Sequence, residues 1–226
     1  MLTKRRLLST IAAASAVLAS NASAEDAAWV DLFDGTSTAG WTNPYEWGEV
    51  KVVEGEVHLK ADKKFFLVTE KQFGDFEFEG EIKLPQGKAN SGFMFRCNVE
   101  KNRVFGYQAE VDGSERRWSG GLYVEGRRGW IWPPKKDRTK DPKVFEREAE
   151  GQAHFKTPAV RDALKRSGWN KYRIVCKGDH IQIFVNGVKT TDLHDDTDAS
   201  GPIGIQHHGE KGQIYQFRNL RIRPMK

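Results

Sequence analysis

The chain has 226 residues, with 36 lysines and arginines against 31 aspartates and glutamates, and 38% apolar residues. That length fits one domain of ordinary size with a sizeable core. The basic residues are interspersed with acids rather than gathered into a stripe, which excludes nucleic acid as the partner.

The N-terminus reads as a targeting segment rather than part of the fold. Lys4, Arg5 and Arg6 form a basic n-region, and Leu7 to Leu18 is an apolar run too short to span a bilayer. Ala22-Ser23-Ala24 fits an A-x-A cleavage site. A cleavable signal peptide over residues 1–24 is therefore expected, with the mature chain periplasmic or secreted and without a membrane span. Arg5-Arg6 also allows a twin-arginine signal. Without its three basic residues, the balance falls to 33 basic against 31 acidic.

Residues 25–226 read as one domain of short strands and turns. Strands are predicted over Val50–Val53, Glu56–Lys60, Phe65–Thr69, Phe76–Leu84, Gly92–Cys97, Tyr107–Val111 and Gly121–Val124. Further on they are predicted over Tyr172–Lys177, His180–Val185, Gly201–His207 and Tyr215–Arg223. Phe76 to Ile82 alternates cleanly, with aromatics toward a core and acids toward water. Asn186-Gly187 is a hairpin turn signal. Pro158–Arg166 is the one expected helix, and Pro133–Pro142 is a charged loop that either stays solvated or walls a cleft. Many short strands at this spacing predict an all-β jelly-roll sandwich of two antiparallel sheets, lectin-like or glucanase-like. Cys97 and Cys176 both fall in strands; export permits a disulfide between them, and two buried thiols are the alternative.

The segment Gly106–Trp132 concentrates acids, arginines and aromatics. On a strand, Gln108, Glu110 and Asp112 share one face, which suits a wet cleft better than a core. Such paired carboxylates divide acid and base roles, ligate a cation, or simply face water. Glu125 is the third acid of interest. Trp118, Trp130 and Trp132 either stack on sugar rings or fill the core, and the arginines around Trp118 favour it for stacking. Arg96 alternates with Phe93 and Phe95, so it is expected on the outer face, binding an anionic oxygen or a strand acid. His207 and His208 point opposite ways on a strand, so at most one serves the cleft. No spacing supports a metal site, and no nucleotide or serine-nucleophile motif is present.

The ordered run Asp31-Leu32-Phe33-Asp34-Gly35, Asn90-Ser91-Gly92, Phe95-Arg96, Gly106–Trp130, Trp169-Asn170 and Ile205-Gln206-His207-His208-Gly209 resembles the 3-keto-disaccharide hydrolase family over about residues 28 to 224. The resemblance implies a concanavalin-like jelly roll in an exported protein that cleaves glycosides oxidised at C3. A ketone at C3 acidifies the C2 proton, so elimination releases the aglycone from C1, and water can complete net hydrolysis. His208 matches the histidine of the family's Gln-x-His-Gly motif, Arg96 the arginine after the Asn-Ser-Gly strand, and Tyr107 the aromatic before the acidic strand. The chain departs at Gln108 and Glu110, where many relatives have Glu and Gln, and at His207, where Asp is frequent.

The expected catalytic residues are His208, Glu110, Arg96 and Asp112. His208 or Glu110 acts as base, Arg96 stabilises the enolate, and Asp112 and Glu125 position groups or protonate the leaving oxygen. Tyr107, Gln108, Trp118, Tyr123, Glu125 and Arg128 are expected to bind the oxidised sugar. No cofactor is expected. Two alternatives stand beside this reading: a non-catalytic carbohydrate-binding module, and an ordinary two-carboxylate glycosidase.

Overall fold

A computed structural model describes residues 27–139 and 142–225. The expected leader lies outside the described residues, as does part of the loop Pro133–Pro142. The chain begins with β1 (Val30–Asp31), β2 (Trp41–Thr42), β3 (Glu49–Val53), β4 (Glu56–Lys60), β5 (Phe65–Thr69) and β6 (Phe76–Lys83). Two long strands follow, β7 (Asn90–Glu100) and β8 (Arg103–Asp112), then β9 (Leu122–Glu125) and β10 (Gly129–Trp132). A helical arm holds a 3-10 turn (Pro142–Arg147), α1 (Glu148–Lys156) and α2 (Pro158–Arg161). The last strands are β11 (Trp169–Lys177), β12 (His180–Val185), β13 (Val188–His194), β14 (Gly204–His207) and β15 (Ile214–Pro224).

The strands form two antiparallel sheets. An eight-stranded sheet runs β13-β12-β11-β6-β15-β4-β3, with β1 also on β15. A seven-stranded sheet runs β10-β9-β8-β7-β14-β5-β2. Their inner faces interdigitate as a jelly-roll sandwich. Phe93 of the second sheet packs within 5.6 Å of Phe78, 5.1 Å of Tyr172 and 5.8 Å of Phe217 from the first, measured between ring centres. Each such fully buried aromatic contributes roughly 1.5–3 kcal/mol. Alternation then fixes the rest: with Tyr107, Ala109 and Val111 in the core, Gln108, Glu110 and Asp112 must face outward.

The outer faces differ from the simple expectation of acids in water. On the eight-stranded sheet, Glu77 and Glu79 are buried under cations: Arg173 and Arg223 bind Glu77, and Lys171 and Arg221 bind Glu79. On the seven-stranded sheet, Phe66, Val68, Met94, Cys97 and Val104 form a second apolar cluster capped by Tyr45. The Tyr45 hydroxyl there accepts the Val104 N–H at 3.0 Å. Cys97 and Cys176 are both buried and unbridged, Cys97 in this satellite cluster and Cys176 in the main core.

Six of the described elements were not anticipated: β1, β2 and the 3-10 turn, which are short, and three others. β13 carries Thr190 and Thr191 buried side by side, both donating to the Gly120 carbonyl, which breaks its alternation. β10 is four consecutive buried residues with no period to read. α1 contains Gly151, where a Cβ would lie 2.7 Å from Pro134, so close packing and not helix propensity selects that residue. The expected helix over Pro158–Arg166 ends at Arg161. Asn170 hydrogen-bonds both the N–H and the C=O of Lys165 at 2.8 Å, drawing that backbone away from helical pairing.

Candidate active site

Strand register builds the site. Along β7, Gly92 pairs with Glu110 and Asn90 with Asp112 on one side. On the other side Gly204 pairs with Met94 and Ile205 with Phe93. Continuing that register puts Gln206 beside Gly92 and His208 beside Asn90. Thus β8 and β14 run parallel to each other on either side of β7, about 10 Å apart at the backbone. Glu110 and Gln206 face each other across a glycine. The result is a cleft of about 460 Å³, with Glu110, Asp112 and Gln206 on its floor and Tyr123 and Trp130 on one wall.

Glu110 is fully enclosed. One carboxylate oxygen accepts Asn90 Nδ2 at 2.6 Å and Arg116 Nη2 at 3.0 Å, and the other accepts Gln108 Nε2 at 2.9 Å. Burial pushes its carboxyl up to about 7, against Arg116 and with the help of the Asp112 charge. Asp112 goes the other way. Burial works to raise it, but Arg116 Nε at 2.7 Å, the Ser114 hydroxyl and the Trp118 N–H outweigh burial and hold it below the usual range. Two carboxylates on one strand face therefore differ in protonation near neutral pH, one tending to keep its proton and one remaining an anion.

His208 forms the opposite wall. Its Nδ1 lies 2.9 Å from Glu210, whose second oxygen accepts the Tyr215 hydroxyl at 2.8 Å. The Glu210 hydrogen bond raises half-exposed His208 above its ordinary value, outweighing its partial desolvation. Asn90 ties the two walls together: its backbone N–H donates to the Tyr215 hydroxyl at 3.1 Å, and its side chain donates to Glu110. His207 points the other way. It is buried against Phe65 and Tyr215, accepts the Gly209 N–H at Nδ1, and is depressed by burial.

The aromatic wall differs from expectation in one position. Trp130 lines the cleft, with Tyr123 edge-on to it at 5.3 Å. Trp118 packs behind, edge-on to Trp130 at 4.8 Å, and Arg116 lies over both indoles. Glu125 is in the cleft, held by Lys64 at 2.5 Å.

Arg96, Tyr107 and Arg128 lie elsewhere. A bulge between Phe95 and Asn98, with Arg96 at φ +44°, breaks the alternation that would have placed Arg96 on the outer sheet face. Its guanidinium instead fastens three loops through the carbonyls of Gly74, Gly178 and Asp198 and the Asp75 carboxylate. Tyr107 has the parity of the core, opposite to Gln108, and its hydroxyl reaches Asp195. Arg128 meets that same Asp195 with two bonds of 2.9 and 2.6 Å. The residues that sequence reasoning passed over are Asn90, Arg116, Gln206, Glu210 and Lys64. Asn90 and Gln206 had a usable signal, since each lies two positions from a marked residue, Gly92 or His208, on the same strand face. Among the described residues no group of three or more His, Cys, Asp or Glu side chains is arranged to hold a metal ion. No helix among them is long and apolar enough to cross a membrane.

The jelly-roll sandwich is shared with solved structures of carbohydrate-binding and carbohydrate-processing proteins. The carbohydrate-binding module CBM66 from Bacillus subtilis aligns with a TM-score of 0.53 at 18% identity, over 81% of this chain and 95% of that one. A Parabacteroides distasonis protein named as a candidate glycosyl hydrolase aligns at 0.58 and 14% identity, over 88% and 94%. The carbohydrate recognition domain of Emp47p aligns at 0.53 and 12% identity, over 90% and 99%. No curated protein matches the chain in sequence. The chain belongs to the 3-keto-alpha-glucoside-1,2-lyase-like domain family, whose profile matches residues 28–223.

Proposed function

We propose that the protein cleaves 3-keto-glycosides by elimination across C1 and C2. The observation that carries this reading is the pairing of Glu110, a buried carboxyl raised to about 7, with the His208–Glu210 pair across β7. Glu210 holds His208 Nδ1, which leaves Nε2 to take the C2 proton. The electron pair moves to C2–C3 and places charge on the C3 oxygen as an enolate. That charge then returns, the C1–oxygen bond breaks, and a C1=C2 double bond forms. Glu110 gives its proton to the departing aglycone oxygen. Water adding across the double bond completes net hydrolysis. Arg116, held by Glu110 and Asp112, is the guanidinium at hand for the enolate in place of Arg96. Tyr123 and Trp130 face the sugar ring.

The test is release of aglycone from 3-keto-glucosides together with exchange of the C2 proton into heavy water. His208→Ala should lose both. Glu110→Gln should keep exchange and lose release of poorly acidic aglycones by about 10²–10⁴-fold. Saturable sugar binding with neither exchange nor release would establish the binding-module alternative instead. Both Glu110 oxygens already accept N–H donors, so the reading invokes no metal. Loss of turnover on chelation would displace it. Residues 1–24 are proposed as the export signal, which N-terminal sequencing of the mature protein checks.

A further inference from the structure

Gln108 and Gln206 are 2% and 1% exposed, and the side-chain oxygen of each has no hydrogen-bond partner among the described residues. Buried amide oxygens are nearly always paired, and leaving one unpaired destabilises a protein. Both of these glutamines line the same cleft. Their placement follows from Gly92. A Cβ there would lie 2.5 Å from Gln108 Cδ, so only a glycine lets that amide lie across β7, the strand between Gln108 and Gln206. Gln108 Nε2 is committed to Glu110, which fixes its oxygen as the free end.

We propose that Gln108 and Gln206 form a hydroxyl-reading subsite, their carbonyl oxygens accepting hydrogen bonds from the C4 and C6 hydroxyls of the bound pyranoside. This rests on reading the cleft as the site for a 3-keto-glycoside. In such a sugar the C3 oxygen is a carbonyl and cannot donate. The C2 hydroxyl sits beside the proton to be removed, and C1 carries the leaving group. The hydroxyls at C4 and C6 are the donors left over. The pair makes the site selective for a ring unsubstituted at those positions, because a site built to pair with a hydroxyl rejects its deoxy analogue strongly.

The experiment uses sugars that cannot be eliminated. Methyl glucoside and its 4-deoxy, 6-deoxy and 4-O-methyl analogues lack the C3 ketone, so calorimetry reads binding alone. Each deoxy or O-methyl analogue should bind roughly 10- to 100-fold more weakly than the parent. Gln206→Leu should weaken the parent and erase its advantage over one deoxy analogue. Gln206→Glu keeps an acceptor oxygen and should retain the discrimination, so a poorly folded leucine variant does not leave the question open. Analogues binding within twofold of the parent, or a parent that shows no saturable binding, overturns the subsite. Aglycone release from 3-keto-glucosides is measured separately. Discrimination without release would remove the elimination reading and leave the subsite standing, and release without discrimination would do the reverse.

Discussion

Strands β6 and β8 carry nearly the same pattern, three polar residues at alternate positions on the outer face of a sheet. On β6 these are Glu77, Glu79 and Glu81, and on β8 they are Gln108, Glu110 and Asp112. Their surroundings separate them. Glu77 and Glu79 each have two cationic partners, and Glu81 has Arg218. Trp29 and Trp169 lie against the arginines and close that surface further. On β8, Glu110 and Asp112 share the single guanidinium of Arg116. A carboxylate whose charge is fully met by cations is part of the scaffold. One that is buried with too little positive charge holds a proton near neutrality and is available for chemistry.

The comparison can be broken most sharply by exchanging charge on each strand. Glu110→Gln should lower kcat/KM for aglycone release by about 10²–10⁴-fold, and Glu77→Gln should leave it within about twofold. Equal losses in steady-state kinetics would show that the two strands are not functionally distinct. The pH dependence of stability should then run in opposite senses. Glu110 titrates higher in the folded chain than the ordinary 4.5, at about 7, so its contribution is fully present below pH 4.5 and is lost as pH rises to about 7. The loss amounts to roughly 3 kcal/mol. Glu110→Gln should therefore gain stability over the parent in urea titrations at pH 8, with the gain vanishing near pH 4.

Glu79 is depressed: burial pushes it up, but Lys171 and Arg221 outweigh that. Its contribution is present above its unfolded value and is lost as pH falls below it. Glu79→Gln should cost stability at pH 8, with the cost shrinking as pH falls below 4.5. Breaking Glu77 should cost about 1–2 kcal/mol, because Arg173 and Arg223 are partly exposed and can rehydrate. The smallest effects concern the indoles. Trp130→Ala should raise the Kd for sugar about 2- to 10-fold, and Trp118→Ala, one layer behind, should act mainly on the melting temperature.

Much of this fold is legible from alternation. Phe76 to Ile82 and Tyr107 to Val111 announce their inner faces directly, and Asn186-Gly187 marks its turn. The same rule placed Gln108, Glu110 and Asp112 on one face. It failed where the backbone leaves the regular pleat or where a face was misjudged. Arg96 sits on a bulge with a left-handed φ, which no count of alternate residues reveals. Tyr107 adjoins Gln108, and neighbours on a strand point opposite ways, so Tyr107 belongs to the core. The arginines beside Trp118 favour it over Trp130, and the structure reverses that order, since which indole is in front depends on how the β8–β9 connection folds back. Glu210 and Lys64 lie in turns outside any strand period, so only the three-dimensional arrangement joins them to His208 and Glu125.

The satellite cluster under Tyr45 has one more effect. It occupies the same sheet face as the cleft, with Met94 immediately along β7 from Gly92. A sugar chain laid parallel to the strands meets that doorstop after the first ring. On the function proposed above, that cluster would close one end of the cleft, so that a glycoside would enter by its terminus and a polymer could not thread through.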